Sequence, residues 1–342
     1  MTAAGVPEAG DTVRMVELAR RHARVADDVE AAVVSVLRSG RYVGGPLVTE
    51  VEGRLAARMG FRHGVGAASG TAALVQMLKG ARVTGRVAVP ALSFFATYEA
   101  VVLAGCEPVV VDVLPDRPQM DPSLVPDVDA VLTVPLFGAR GPDVDHPRVF
   151  CDAAQCLGWG WGRPQGLAAT LSLYPTKTVG AAGDGGAVLT DDPELAAAVR
   201  RVGNHAMTGA HEHEGVGTNS RLDAVQAAVV GAHLSELDRR VARRREHARA
   251  YDSLGLGLPG DPRDAVHQYI VMHPQRDRMR ADLAARGIES AVYYPRPLDG
   301  QWATSRCDRA LAFCARSLAI PVHAELTDAE HDRVLDGLRA WA

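Results

Sequence analysis

The sequence has 342 residues, of which 47% are hydrophobic and 23% are charged. Its 37 basic and 41 acidic residues give a formal net charge of −4, so no basic field indicates a nucleic-acid or anionic-membrane partner. No apolar run reaches the roughly 18 residues that a membrane-spanning helix needs. The five cysteines form no Cys-x-x-Cys pair, and an odd count is typical of a reduced, cytoplasmic protein. We expect no metal site.

Hydrophobic periodicity predicts alternating helices and short strands along the first two-thirds of the chain. In chain order these are helices over residues 27–37, 48–59 and 70–78, a strand over 87–90, a helix over 94–103, strands over 108–113, 130–136, 148–153, 170–174 and 187–190, and helices over 193–202 and 222–237. This alternation predicts an α/β fold whose mostly parallel central sheet is flanked by helices. Ligands of such sheets bind at the carboxyl ends of the strands.

The composition predicts a flexible tail over residues 1–20, a large α/β domain over 21–238 and a smaller C-terminal α+β domain over 239–342. The basic helical run over 239–249 is interpreted as a solvated connector between the two domains. In the small domain we predict a strand over 267–273, a helix over 276–286, a strand over 290–294 and a final helix over 328–341.

Lysine is rare in this chain. Only Lys79 and Lys177 occur, so 35 of the 37 basic residues are arginine. Arginine cannot supply a deprotonated amine, whereas lysine can form a Schiff base. Lys79 lies just before Gly80, where a cation suits a helix C-terminus. Lys177 lies between a predicted strand and a glycine-rich run, so it is the candidate for chemistry, although a structural lysine stays possible.

The segment over residues 64–70, Gly-Val-Gly-Ala-Ala-Ser-Gly, superficially resembles a dinucleotide-binding fingerprint. The context argues against a nicotinamide site, because no acidic residue follows about 20 positions later. Gly70 and Thr71 open a predicted helix, where free N–H groups and the helix dipole favour an anion such as phosphate. An ordinary N-cap formed by Ser69 explains the same pattern.

Other candidate side chains follow predicted strands. Asp152 ends a strand, where its carboxylate could face a pyridine nitrogen, and Gln155 could bond a ring substituent beside it. Asp152 could equally cap the next helix. Ser172 precedes Lys177 at another strand end, and Phe94 could be a flat platform for a planar ring or part of the core. Together with the anion site and the lysine, these residues match the requirements of pyridoxal 5′-phosphate (PLP).

The sequence resembles a known family, the DegT/DnrJ/EryC1/StrS family. The resemblance extends in one order from about residue 30 to the C-terminus. It is carried by residues 37–46 (LRSGRYVGGP), 69–74 (SGTAAL), 89–94 (VPALSF), 152–155 (DAAQ), 174–177 (YPTK), 183–188 (GDGGAV), 204–205 (NH) and 219–223 (NSRLD). It implies a fold-type-I PLP transferase that acts as a homodimeric aminotransferase on nucleotide-linked keto sugars or cyclitol ketones.

The resemblance also implies roles for matching positions. Lys177 would carry the internal aldimine and move the proton, Asp152 would pair with the pyridine nitrogen, and Gln155 with the ring hydroxyl. Phe94 would stack on the ring. The phosphate would be held by Gly70, Thr71, Ser172 and, from the partner subunit, Asn219. Substrate-binding candidates are His205, Arg221, Tyr294 and Arg296.

The reaction implied is a ping-pong transamination from glutamate or glutamine, in a natural-product or sugar pathway. Departures from the family pattern flank the expected site: Cys151, Thr178 and Tyr293 replace usual residues, and the stretch over 113–151 is shorter than usual. They put the substrate in doubt rather than the cofactor. Two alternatives stay open, namely a PLP-dependent sugar dehydratase of the same family and a non-catalytic, ligand-binding regulatory paralogue.

Overall fold

The computed structural model describes residues 12–298 and 306–342. Its centre is a seven-stranded sheet in the order β1-β7-β6-β5-β4-β2-β3. The strands are β1 (His63–Ala67), β2 (Arg86–Pro90), β3 (Glu107–Val111), β4 (Ala130–Thr133), β5 (Val149–Asp152), β6 (Ala168–Ser172) and β7 (Gly186–Thr190). The pairs from β6 to β3 are parallel, and β7 runs antiparallel to both of its neighbours. The predicted mostly parallel sheet is therefore confirmed.

Helices cover both faces of the sheet. They are α1 (Leu18–Ala23), α2 (Ala26–Ser39), α3 (Pro46–Arg58), α4 (Gly70–Gly80), α5 (Phe95–Leu103), α6 (Pro193–Val202), α7 (Ala224–Leu234), α8 (Leu237–Asp252), α9 (Arg276–Ala285), α10 (Asp308–Arg316) and α11 (Asp328–Arg339). Alternate residues of a strand pack on opposite faces: Val188 joins one apolar cluster, while Ala187 and Leu189 join the other. Among the described helices, none combines the length and apolarity needed to span a bilayer.

Short polar caps define where several helices begin. Ser69 Oγ accepts the Ala72 N–H at the start of α4, and Asp192 and Asp223 cap α6 and α7 in the same way. Each cap fixes the residue at which its helix begins. In particular, the Ser69 cap fixes the N-terminus of α4 beside the end of β6 and the start of β7.

The small C-terminal region differs from the prediction in its strand pairing. The described structure pairs β10 (Tyr269–Met272) with β11 (Ser317–Ile320), in antiparallel register. The predicted strand over 290–294 is wrong, because it is reduced to one isolated bridge between Ala291 and Ala319. β11 is a four-residue run directly after α10, too short for periodicity to indicate. β1 was missed as well, because two of its five residues are glycine.

The interpretation of residues 239–249 as a solvated connector is wrong. This run lies within α8, in which Arg240, Arg244 and His247 are buried. The guanidinium groups are buried because they donate to backbone carbonyls: Arg240 Nη1 donates to Thr178 O at 3.3 Å, and Arg244 Nη1 to His267 O at 2.8 Å. Helix α8 is continuous across the predicted domain boundary at 238/239. The division into two domains stays a prediction.

Part of the predicted tail over residues 1–20 is described. Residues 1–11 lie outside the described residues. Val13 is fully buried, and its N–H donates to Gly287 O at 2.8 Å. This residue therefore does not belong to a flexible tail. The next residues lead into α1, so the N-terminal segment packs against both the small region and, as shown below, the site.

The connection between β4 and β5, residues 134–148, contains only a three-residue 3₁₀ turn, Leu136–Gly138. Parallel strands are usually joined through a helix. This is the stretch that the sequence indicated to be short. Phe137 has a positive φ of 63° and its ring contacts the rings of Tyr294 and Phe313. The shortened connection therefore reaches the edge of the sheet where β5 ends.

Candidate active site

A cavity of about 580 Å³ opens at the carboxyl edge of the central sheet. It lies where β5 and β6 end and α4 and α5 begin. Eight of the residues singled out in the sequence line it: Gly70, Thr71, Phe94, Asp152, Gln155, Ser172, Lys177 and Tyr294. The tertiary structure thus brings together side chains that are up to about 220 positions apart in the sequence.

Asp152 ends β5 with its carboxylate buried in the cavity wall. Thr97 Oγ1 donates to Asp152 Oδ2 at 2.7 Å, and the Ala154 N–H donates to Oδ1 at 3.2 Å. Ser93 Oγ lies 2.6 Å from Thr97 Oγ1, so the hydroxyl groups of Ser93 and Thr97 form a hydrogen-bonded chain that ends at the Asp152 carboxylate. Burial raises the pKa of Asp152, whereas these hydrogen bonds and the charge of Lys177 oppose the shift. A cation placed against the carboxylate would favour its ionised form.

Lys177 lies in the loop after β6. Burial lowers the pKa of its amine, against the attraction of the Asp152 carboxylate. The backbone of this loop is hydrogen-bonded to α1: Arg21 Nη1 donates to Pro175 O at 2.9 Å and to Lys177 O at 2.6 Å. The lowered pKa makes the neutral amine, which can act as a nucleophile or a base, easier to form, and the backbone that carries it is fixed.

An anion-binding cradle is formed where α4 begins. A Cβ atom at Gly70 would lie 2.9 Å from Ser172 Cβ, so only glycine lets the helix N-terminus approach the end of β6 this closely. The first N–H groups of the helix and the hydroxyl-bearing residues Thr71 and Ser172 line the same cavity. Since a helix N-terminus carries a partial positive charge, this end of the cavity suits a phosphate group. Ser69 is the N-cap of α4, and the phosphate site stays a prediction.

Gln155 and Phe94 complete the wall around Asp152. Gln155 Oε1 accepts the Phe137 N–H, and Gln155 Nε2 donates to the Tyr294 hydroxyl at 3.4 Å. The shortened connection over 134–148 therefore contributes directly to the position of Gln155. Phe94 precedes α5 and is 69% exposed at the cavity, so its ring is available to a planar ligand.

Four of the predicted site residues lie outside the lining of this cavity. Arg221 donates to Asn204 and, at 2.6 Å, to Asn219 Oδ1. The carbonyl of His205 contacts the ring of His213 in the β8–β9 hairpin (Met207–Gly209 and Glu212–His213). Arg296 is exposed. Their roles stay predictions, and for Asn219 the resemblance implies a site in the partner subunit.

Several cavity or supporting residues were missed in the sequence. Arg244, His267 and Gln268 line the wall from the small region, beside Tyr293, and Thr97 and Arg21 support Asp152 and Lys177. Thr97 lies four positions after Ser93, at the start of the predicted helix over 94–103, and this pair of hydroxyl residues was a usable signal. No sequence signal distinguished Arg21 and Arg244, because arginine is so frequent in this chain. Across the described residues, no group of three or more His, Cys, Asp or Glu side chains is arranged to hold a metal ion.

Comparison with known proteins agrees with this geometry. The sequence profile of the DegT/DnrJ/EryC1/StrS aminotransferase family matches residues 24–339. The chain is 35% identical to a UDP-2-acetamido-2-deoxy-3-oxo-D-glucuronate aminotransferase from Pseudomonas aeruginosa, over 84% of this chain and 88% of the relative. It is also 35% identical to a dTDP-3-amino-3,4,6-trideoxy-alpha-D-glucose transaminase from Streptomyces venezuelae, over 96% of each chain.

A solved structure is similar along nearly its whole length. Streptomyces venezuelae DesV, in complex with a ketimine intermediate, superposes with a TM-score of 0.91 at 33% identity, over 96% of this chain and 98% of that one. The predicted fold-type-I architecture is confirmed by this match and by the sheet order. The chain belongs to the DegT/DnrJ/EryC1/StrS aminotransferase family, and it is an aminotransferase.

Proposed function

We propose that this aminotransferase uses PLP to move an amino group from glutamate or glutamine to the keto group of a nucleotide-linked sugar or a related cyclitol or natural-product ketone. The observation that carries the proposal is that one cavity holds the amine of Lys177, the buried carboxylate of Asp152 and the cradle at Gly70. The two relatives named above act, by their names, on UDP- and dTDP-linked sugars. Cytoplasmic location stays a prediction.

The residues present fit PLP. Its phosphate suits the α4 N-terminus, where a Cβ at Gly70 would fill the space beside Ser172. Its pyridine nitrogen, when protonated, suits the buried Asp152 carboxylate, whose described hydrogen bonds come from the uncharged donors Thr97 and Ala154. Gln155 is positioned to bond the ring hydroxyl, and Phe94 to cover a ring face. When bound, PLP supplies an aldehyde that takes up an amine and a ring that withdraws electron density from the neighbouring carbon.

The protein would contribute proton transfer and orientation. The Lys177 amine, whose pKa is lowered by burial, would in its neutral form accept the proton from the α-carbon of the donor and return it to the cofactor side. Asp152 would keep the ring nitrogen protonated, and the Thr97 hydrogen bond would keep Asp152 ionised. In the second half of a ping-pong cycle the same groups would act in reverse on the ketone acceptor.

Absorption spectroscopy tests the proposal. The purified protein, supplied with PLP, should show a visible band that fades when L-glutamate or L-glutamine is added and returns when a keto acid is added. A band that ignores every amino donor would favour the dehydratase alternative. A protein that binds PLP weakly and without a visible band would favour the regulatory one.

Shared active sites in a homodimer can be tested by subunit mixing. We expect a dimer by sedimentation, and we expect both Lys177→Ala and Asn219→Ala proteins to be impaired. If Asn219 acts across the interface, a mixture of the two variants forms heterodimers in which one site has both native residues. Activity should then recover toward a quarter of that of the wild type. No recovery after confirmed subunit exchange would contradict the shared site.

A further inference from the structure

His267 lines the active-site cavity from the small region, and it is buried. The residue is 7% exposed, and its Nδ1 has no hydrogen-bond partner among the described residues. A buried polar atom without a partner costs free energy, so such atoms normally bind another protein group, water or a ligand. Since the ring forms part of the cavity wall, the cavity is where a partner can approach it.

The backbone of His267 is bound to the turn that also holds Gln155. The His267 N–H donates to Phe137 O at 3.0 Å, while the Phe137 N–H donates to Gln155 Oε1. Gly138, with a φ of 85°, lets these segments approach, because a Cβ there would lie 2.8 Å from Gln155 O and 3.2 Å from His267 N. The imidazole therefore projects from a fixed backbone.

The imidazole of His267 stays uncharged. Burial lowers the pKa of His267 well below its ordinary value. The charge of Lys177 adds to this shift, and so do those of Arg244 and Arg21. An uncharged imidazole has one N–H group and one nitrogen lone pair. It can therefore accept a hydrogen bond from an ammonium group nearby without taking its proton.

Lys177 has such a donor group, and its other neighbours are already engaged. Besides burial, the groups that affect the pKa of its amine are Asp152 and Cys156. The Asp152 carboxylate already accepts two hydrogen bonds and is assigned to the cofactor ring. Cys156 is a buried thiol that donates to a backbone carbonyl at 3.7 Å, and its raised pKa keeps it uncharged. Among the groups that interact with Lys177, His267 thus offers a nitrogen without a partner.

We propose that His267 is a positioning residue for Lys177, whose amine donates a hydrogen bond to the imidazole. This inference rests on the proposed transamination and adds the group that orients its base. The lysine amine is carried on a flexible four-carbon stem, so a hydrogen bond at Nζ restricts it. With one N–H directed to His267, the amine keeps its lone pair for the proton of the substrate carbon. The hydrogen bond strengthens once that proton is taken up, because its donor is then charged.

The two lysines of the chain make a direct test feasible. In the protein without PLP, acetic anhydride labels neutral amines, and peptide mass spectrometry follows Lys177 and Lys79 separately as pH is varied. His267→Phe keeps a planar ring but removes both nitrogens, so the Lys177 ammonium loses its acceptor. The midpoint of Lys177 labelling should fall by about one pH unit, as for the loss of a hydrogen bond to a charged group. Lys79, in the last turn of α4, should keep its midpoint.

Three further variants separate a hydrogen bond from a change in polarity or fit. His267→Gln keeps an uncharged acceptor, so its midpoint should lie close to that of the wild type. His323→Phe makes the same change at another buried histidine of the cavity wall, whose Nε2 lies 3.1 Å from Arg14 O, and should leave the midpoint unchanged. His267→Leu removes the nitrogens with a smaller side chain and replaces His267→Phe if that protein fails to fold.

The catalytic readout uses the PLP-loaded protein. Fading of the visible band with L-glutamate should slow roughly 10-fold in His267→Phe, because the base is no longer oriented, and should recover in His267→Gln. A shifted labelling midpoint without slower fading would overturn the positioning role.

The labelling results decide the inference independently of turnover. An unchanged Lys177 midpoint in His267→Phe and His267→Leu would overturn it. Equal shifts in His267→Phe and either His267→Gln or His323→Phe would overturn it as well, since they would reflect a general change of the wall. A wild-type band that ignores every amino donor would instead refute the proposed function, while the midpoints would still show whether His267 binds the Lys177 amine.

Discussion

Thr97 Oγ1 donates a 2.7 Å hydrogen bond to Oδ2 of Asp152 and thereby ties α5 to the end of β5. The contact joins residues 55 positions apart, and both are buried. Because the Asp152 carboxylate lies in a medium of low polarity, each hydrogen bond to it has a large effect on its ionisation. The hydroxyl of Thr97 is therefore part of the site although it does not line the cavity.

Replacing Thr97 with valine should weaken cofactor binding. Valine keeps the shape but removes the hydroxyl, so the pKa of Asp152, already raised by burial, should rise further. PLP affinity should fall roughly 10-fold at neutral pH, as for the loss of a hydrogen bond to a charged group, and should recover as pH increases and Asp152 ionises. Titration of PLP absorbance from pH 6 to 9 measures this. Thr97→Ser should behave like the wild type; a Thr97→Val profile identical to that of the wild type would refute the role.

The two lysines form a natural pair of variants. Lys177→Ala should reduce transamination roughly 1,000-fold or more, because it removes both the nucleophile and the proton carrier. Lys79, in the last turn of α4, is the control, and Lys79→Arg should keep turnover within about twofold of the wild type because the helix-end charge is retained. Steady-state rates with L-glutamate and a keto acid measure both. Near-native activity of Lys177→Ala would contradict the mechanism.

Gly70→Ala should selectively weaken phosphate recognition. The added Cβ would lie 2.9 Å from Ser172 Cβ, so α4 or β6 must shift at the cradle. We expect affinity for PLP to fall about 10-fold, while affinity for pyridoxal, which lacks the phosphate, changes less. Gly53→Ala in α3 is the matched control, since a Cβ there meets no described atom within 4 Å. Equal losses for both ligands would mean a general distortion instead.

Arg21→Met should loosen the lysine loop. Arg21 Nη1 makes two hydrogen bonds, to Pro175 O and Lys177 O, from a buried position. We expect the free energy of unfolding to fall by about 3 kcal/mol, because two charge-assisted bonds are lost and two partly buried carbonyls are left without this donor. Turnover should fall as well. Urea unfolding measures the stability, and Arg24→Met, which removes an exposed pair with Glu236, should change it by less than about 1 kcal/mol.

His247 should make the protein acid-sensitive. Burial, with the charges of His331 and Arg243, lowers its pKa to about 4, whereas Glu246 opposes the shift. Since the unfolded chain takes up the proton near pH 6.5 and the folded chain near pH 4, the free energy of unfolding should fall as pH decreases between these values, by about 2–3 kcal/mol from this residue.

The comparison with His247→Phe isolates that contribution. Phenylalanine can keep the ring stacking with His331, whose centroid lies 4.5 Å from that of His247, but it does not titrate. Urea unfolding at pH 4.5 to 7 should show a shallower pH dependence for His247→Phe than for the wild type. His211→Gln, at an exposed position, should leave it unchanged. Equal slopes in His247→Phe and the wild type would contradict the prediction.

The sequence by itself determined the α/β architecture and the main cofactor-site candidates. Alternating periodicities reflect which faces are buried, so strands such as β5 and β6 and helices such as α4 were predictable. Lys177 stood out because lysine is otherwise nearly absent, and Asp152 and Ser172 because they end apolar runs. These signals are local: each depends on a residue and its few neighbours in the chain.

Only the tertiary structure decided the rest. Whether Arg244 is solvated or buried depends on which carbonyls surround it, and those of residues 266 and 267 are more than 20 positions away. The pairing of β10 with β11, the hold of Arg21 on the lysine loop and the bond from Thr97 to Asp152 likewise join distant segments. Side-chain burial and hydrogen-bond partners arise from packing between elements, which no short stretch of sequence specifies.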